Sequence, residues 1–66
     1  MIKEQSKVVV HLGRNNGEIG TVIKFSDNRS SVYVDFNRLI NVNEGFGSLA
    51  LYPDAYWIPL DFVSET

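Results

Sequence analysis

Residues 7–36, KVVVHLGRNNGEIGTVIKFSDNRSSVYVDF, decide the fold. They read as three short strands. Lys7 to Leu12 is rich in β-branched residues and stops at Gly13. Gly13-Arg14-Asn15-Asn16-Gly17 then strings together residue types that tolerate positive φ, so the backbone turns sharply there. Thr21 to Phe25 is the second strand. Its Val22 and Phe25 cannot share one face of a straight strand, so a bulge or strong bend is expected between them. After the polar hairpin loop Ser26–Ser30, Ser31 to Phe36 alternates: Val32, Val34 and Phe36 on one face, Tyr33 and Asp35 on the other. With glycines at 13, 17 and 20, this antiparallel meander is expected to curl into the first half of a very small β-barrel.

Working outward, residues 1–6 are a polar lead-in expected to be flexible, and 7–66 form a single domain, since a chain of 66 residues builds only one core. Residues 37–47 read as a long loop, unusual in so small a domain. Its Leu39, Ile40, Val42 and Phe46 are expected to fold back over an open end of the barrel. Ser48 to Tyr52 adds a short extended piece before Pro53-Asp54 turns the chain, and Tyr56-Trp57-Ile58 is a strand. Pro59 has no N–H to give a ladder, so Pro59 to Asp61 is expected to make a tight turn or a single 3₁₀ turn, with Phe62 and Val63 opening the closing strand.

Charge is informative when divided. Residues 1–38 hold all six Lys and Arg against Glu4, Glu18, Asp27 and Asp35, giving +2; residues 39–66 hold Glu44, Asp54, Asp61 and Glu65 and no base, giving −4. The total of −2 argues against general affinity for nucleic acid, which rests on many Lys and Arg contacts to phosphate. One mildly basic and one acidic face suit a protein partner. The chain has no cysteine, which fits a reducing cytoplasm. Its first residues, MIKEQSK, are polar where a signal peptide would be apolar, and no apolar run approaches the ~20 residues of a membrane helix. A cytoplasmic protein away from the membrane is expected.

By spacing, the deciding stretch is Val8-x-Val10-x-x-Gly13-x-x-x-Gly17-x-x-Gly20-x-Val22-x-x-Phe25, followed by Val32-x-Val34-x-Phe36. This resembles the KOW motif of SH3-like barrels in transcription elongation factors and large-subunit ribosomal proteins, over about half the chain. The later YWIPLDFV is similar to the way many SH3-like barrels end. The placement of the 37–47 segment gives a weaker likeness to small SH3-like accessory subunits, such as the photosystem I subunit of this fold. The resemblance implies an all-β, five-stranded SH3-like barrel that acts as a binding module on transcription or translation machinery. It also implies an alternative, an RNA- or DNA-binding KOW domain using Arg14, Asn15, Asn16, Lys24 and Arg29.

Enzyme chemistry finds no foothold. Catalysis needs a nucleophile, or a paired acid and base with an orienting group, and one histidine with scattered carboxylates offers neither. Gly13-x-x-x-Gly17-x-x-Gly20 would cradle phosphate only ahead of a helix, and the strand-forming Thr21-Val22-Ile23 follows instead. His11 is alone, so no metal is expected; it reads as a strand residue near the rim. Asn41-x-Asn43 beside Glu44 lacks the regular carboxylates of a calcium loop, and no cofactor is expected. The Asn28-Arg29-Ser30 glycosylation triplet has no meaning in the cytoplasm. Recognition falls to aromatic residues. The core is expected to take most of Phe25, Phe36 and Phe62 and one or two of the other aromatics, and Tyr33, Phe46, Tyr52, Tyr56 and Trp57, with Arg38, are the candidate partner-binding residues. They would serve a protein interface, an aromatic cage for a methylated cation as in Tudor-type barrels, or a platform for bases. A protein–protein adaptor or accessory subunit, monomeric or homodimeric, is the expected function; mimicry of nucleic acid by the acidic half is a third, weaker reading.

Overall fold

A computed structural model describes all 66 residues. The strands are β1 (Lys7–Val10), β2 (Ile19–Phe25), β3 (Ser31–Gly45), β4 (Ser48–Pro59) and β5 (Val63–Glu65), with 3₁₀ turns at Gly13–Asn15 and Leu60–Phe62. They form one antiparallel sheet in the order β4-β3-β2-β1-β5. The chain is all-β. No helix is long and apolar enough to cross a membrane.

Period-two alternation builds the body. Val8, Val10, Val22, Val32, Val34, Phe36, Ile58 and Val63 are buried on one face of the sheet. The expected bulge is present: Val22 pairs with Val34 but Lys24 with Tyr33, so the extra residue Ile23 shifts the register and lets Phe25 reach the core side. Gly20 marks the tightest point of the curl. A Cβ there would collide with Val34 Cγ1 and stand 3.1 Å from the Phe36 ring. Gly17, at φ +86°, makes the turn that leads into β2. Ahead of β1, the Gln5 N–H donates to the Val22 carbonyl (2.7 Å) and the Val22 N–H to that of Ser6 (2.9 Å).

The sheet does not close into a barrel, contrary to the sequence expectation. β5 has three residues and pairs only with β1, so the sheet ends at β5 on one side and β4 on the other. Nor is 37–47 a loop folded over the core. β3 runs on through Gly45 and β4 starts at Ser48, pairing from Leu39↔Pro53 to Gly45↔Ser48. This hairpin extends past the end of β2, which stops pairing at Asp35, and draws the molecule out to 44 × 25 × 18 Å. Pro53-Asp54 lies inside β4 rather than at a turn. The closing 3₁₀ turn does form, one residue later than expected. Phe62, assigned to the core, is 41% exposed.

Candidate functional site

The hairpin beyond Leu39 and Pro53, here called the arm, departs from the body at a break in the β3–β4 ladder. Asp35 pairs with Ala55 and Leu39 with Pro53, so Phe36, Asn37 and Arg38 stand opposite Asp54 alone. Asn37 absorbs the surplus with φ +58°, its N–H donating to Asp35 Oδ1 at 2.9 Å. The insertion frees Arg38 to turn back on Asp54.

Asp54 is fully buried and takes three donors. Arg14 Nη2 reaches Oδ1 at 2.8 Å, while Arg38 Nε (2.9 Å) and Asn15 Nδ2 (3.1 Å) share Oδ2. Asn15, also fully buried, accepts the Tyr56 hydroxyl at 2.7 Å. Arg38 Nη2 pairs with Glu18 at 2.7 Å, and the Arg14 guanidinium lies 4.8 Å from the centre of the Tyr56 ring. Burial alone would raise the Asp54 carboxyl. The hydrogen bonds from Arg14, Asn15 and Arg38, with the charge of Arg14, outweigh it and hold the group below the ordinary carboxylate value. Burial raises the Tyr56 hydroxyl. Every buried side-chain polar atom finds a partner. This cluster is a bolt: the 3₁₀ turn supplies Arg14 and Asn15, and they pin the root of the arm to the body.

The arm itself is apolar and uncovered. Leu39, Val42, Phe46, Leu49, Leu51 and Tyr52 are all exposed. Phe46 stands free at the tip, in a two-residue turn where it and Gly47 both take positive φ (+50° and +76°). That conformation suits Asn-Gly, and a phenylalanine there is strained. Glu44 is the one charged residue between Leu39 and Pro53, and it accepts the Tyr52 hydroxyl, which raises that group.

Side-chain direction along β4 joins the arm to the body. Asp54, Tyr56 and Ile58 face the core side, so Leu49, Leu51, Pro53, Ala55, Trp57 and Pro59 share the other face. All six are apolar. β3 adds Leu39 opposite Pro53 and Tyr33 opposite Trp57. Tyr33 and Trp57 meet edge to face, ring centres 5.3 Å apart, and Lys24 Nζ lies within 6 Å of both rings (5.7 and 5.6 Å). One apolar stripe thus runs the length of β4. Between its two ends a hollow of about 300 Å³ opens at the arm's root, lined by Asp35, Asn37, Arg38, Leu39 and Pro53.

The candidate partner-binding residues therefore separate. Tyr33 and Trp57 lie on the outer face, Phe46 and Tyr52 on the arm, and Tyr56 and Arg38 in the bolt. The candidate nucleic-acid residues scatter as well. Arg14 and Asn15 are engaged with Asp54, Arg29 lies 4.1 Å from the Phe25 ring centre, Asn16 is exposed after the 3₁₀ turn, and Lys24 is on the outer face. His11 meets Ser64 (Nε2 to Oγ, 3.1 Å). Sequence reading passed over Asp54 and Glu18, and also the leucines. The leucines carried a signal: apolar residues at every second position from Leu49 to Pro59 mark a strand face straight through Pro53-Asp54.

Comparison with protein-family models, curated proteins and solved structures returned no match.

Proposed function

We propose that this chain is a non-catalytic binding module that docks on protein through the apolar stripe of β4. The stripe is the observation that carries the reading: six apolar residues in line, on a face that nothing in the chain covers. The arm half cannot rest on its own packing. Ordering its roughly 15 residues costs about 1–2 kcal/mol each in backbone entropy, and its large apolar side chains bury little within the chain. A lone two-stranded hairpin is marginal in water. The polar bolt at the root nevertheless fixes the arm's direction, as an arm meant for a partner requires. Trp57, Tyr33 and Phe46 are aromatic anchors of the kind that dominate interface energies. The KOW and SH3-like resemblance adds transcription or translation machinery as the setting, in the cytoplasm that a cysteine-free chain suits. Pull-down from native cells tests the reading. Leu51→Lys and Trp57→Ala variants that stay folded should lose co-purifying protein; unchanged recovery by both would refute it.

A second reading draws on one observation, Lys24 beside the half-buried Tyr33 and the exposed Trp57, a pair that resembles a stacking platform for bases. It requires binding of single-stranded probes that weakens steeply with salt. Fluorescence polarisation at low salt with no binding by the wild type, or equal binding by Trp57→Ala, removes it.

A further inference from the structure

We propose that the arm half of the stripe is covered by a second copy of this chain. Two arms lie antiparallel, leucine face on leucine face, and the Phe46 of each enters the hollow at the root of the other. This rests on the reading of the stripe as a protein-docking surface and names its occupant.

Four observations carry it. The first is self-complementarity along one face. The hollow is lined by Asp35, Asn37, Arg38, Leu39 and Pro53, and of these Asp35, Leu39 and Pro53 stand on the same side as Leu49 and Leu51. That face therefore has a hollow at one end and an apolar strip in the middle, and the fully exposed Phe46 stands at the tip beyond them. A two-fold axis through the middle of the strip sets each knob over the other copy's hollow, as an isologous interface demands. The hollow's 300 Å³ has room for a phenyl ring.

Charge is the second. Each copy carries −2, yet between Leu39 and Leu49 this face holds only Asn41 and Asn43 as polar side chains, and Glu44 lies on the other face with Tyr52. Two copies meet there without facing like charges. The third is size. Leu39, Leu49 and Leu51 are 60–67% exposed and Phe46 is fully exposed. Together they offer at most roughly 550 Å² per copy, near the lower end of the ~600–1,000 Å² per partner of a standard interface.

The fourth is that edge-to-edge pairing of β4 is blocked in the body. The Ser26 N–H donates to the Ser31 carbonyl and the Leu60 N–H to the Ser30 carbonyl. Ser31 thus bonds toward β2, which leaves Pro59 and its parity mates on β4 with their backbone groups turned to the open edge. Pro53 and Pro59 sit at such positions and remove their donors. The face is open to a copy, while the edge of the body lacks a donor at Pro53 and at Pro59. In the dimer, Tyr33 and Trp57 lie beyond the overlap and remain free for a different protein.

Sedimentation equilibrium of the full chain from 2 to 200 μM is the test. The wild type should approach about 15 kDa, twice the 7.5 kDa chain. Phe46→Asn separates association from folding, because asparagine suits the positive φ of the turn. It should leave thermal stability of the monomer unchanged or higher and weaken dimerisation at least tenfold. Leu51→Lys should give a monomer throughout the range. A wild type that stays at 7.5 kDa at 200 μM overturns the second copy. If that monomer still captures some other protein through Leu51 and Trp57, the docking reading stands and only the occupant is wrong. A dimer that Phe46→Asn does not weaken overturns the exchange of tip and hollow.

Discussion

The body and the arm use the same two-stranded ribbon for opposite ends. Between Ser31 and Asp35 the β3–β4 pair lies against β2, and its Val32, Val34 and Ile58 are fully buried. From Leu39 to Gly45 the same pair has no third strand and no buried residue. Apolar content does not distinguish them. What differs is whether the chain supplies its own cover. The body is held by its own side chains, whereas the arm's apolar surface has to be matched from outside. The bolt around Asp54 lies at the boundary and ties the root of the arm to the body.

That contrast can be broken at graded points. The largest effect is expected at the boundary. Asp54→Ala removes the acceptor of Arg14, Arg38 and the buried Asn15. The two guanidiniums are about half exposed and regain water, so the loss comes mainly from Asn15 and the disturbed root: about 2–3 kcal/mol in urea unfolding, below that of a fully buried broken pair. Next is Gly20→Ala in the body, which pushes a methyl into Val34 and Phe36 and should destabilise by about 1–2 kcal/mol.

The acid limb of stability sharpens the boundary further. The Asp54 carboxyl is depressed in the folded state relative to its ordinary value of 3.8. Its contribution is therefore complete above that pH and is lost as pH falls below 3.8 toward the folded value. Asp54→Asn should show a shallower loss over that range than the wild type, by circular dichroism at fixed urea. Equal slopes would mean the bolt does not hold a carboxylate. The smallest effect on folding belongs to the arm. Leu51→Lys should change the stability of the dilute monomer by less than about 0.5 kcal/mol, since the side chain is already in water, while abolishing association.

Much of the body was legible in the sequence because each of its strands has one covered face. Val32, Val34 and Phe36 alternate with Tyr33 and Asp35 for that reason, and the parity clash of Val22 and Phe25 announced the bulge. Barrel closure was not legible, since it depends on whether β5 is long enough to meet β4. The arm was misread as a loop because neither of its faces is covered: Leu39 and Ile40 put apolar residues on opposite sides, and the alternation of Ile40-Asn41-Val42-Asn43 lasts only four residues. Its Asn, Gly and Pro-Asp residues imitate loop chemistry. The bolt joins residues 39 and 40 positions apart, and no local pattern predicts that meeting. The scatter of Arg14, Lys24 and Arg29 was hidden in the same way, by which face each strand shows.

Hydrogen exchange of the arm amides, Ile40 to Glu44 and Leu49 to Tyr52, followed as the protein is diluted, tests the central claim most directly. Protection there should rise with protein concentration while that of Val8, Val22 and Val34 stays constant. Arm amides that are as protected as the body at every dilution would show a hairpin that needs no cover, and would contradict the account.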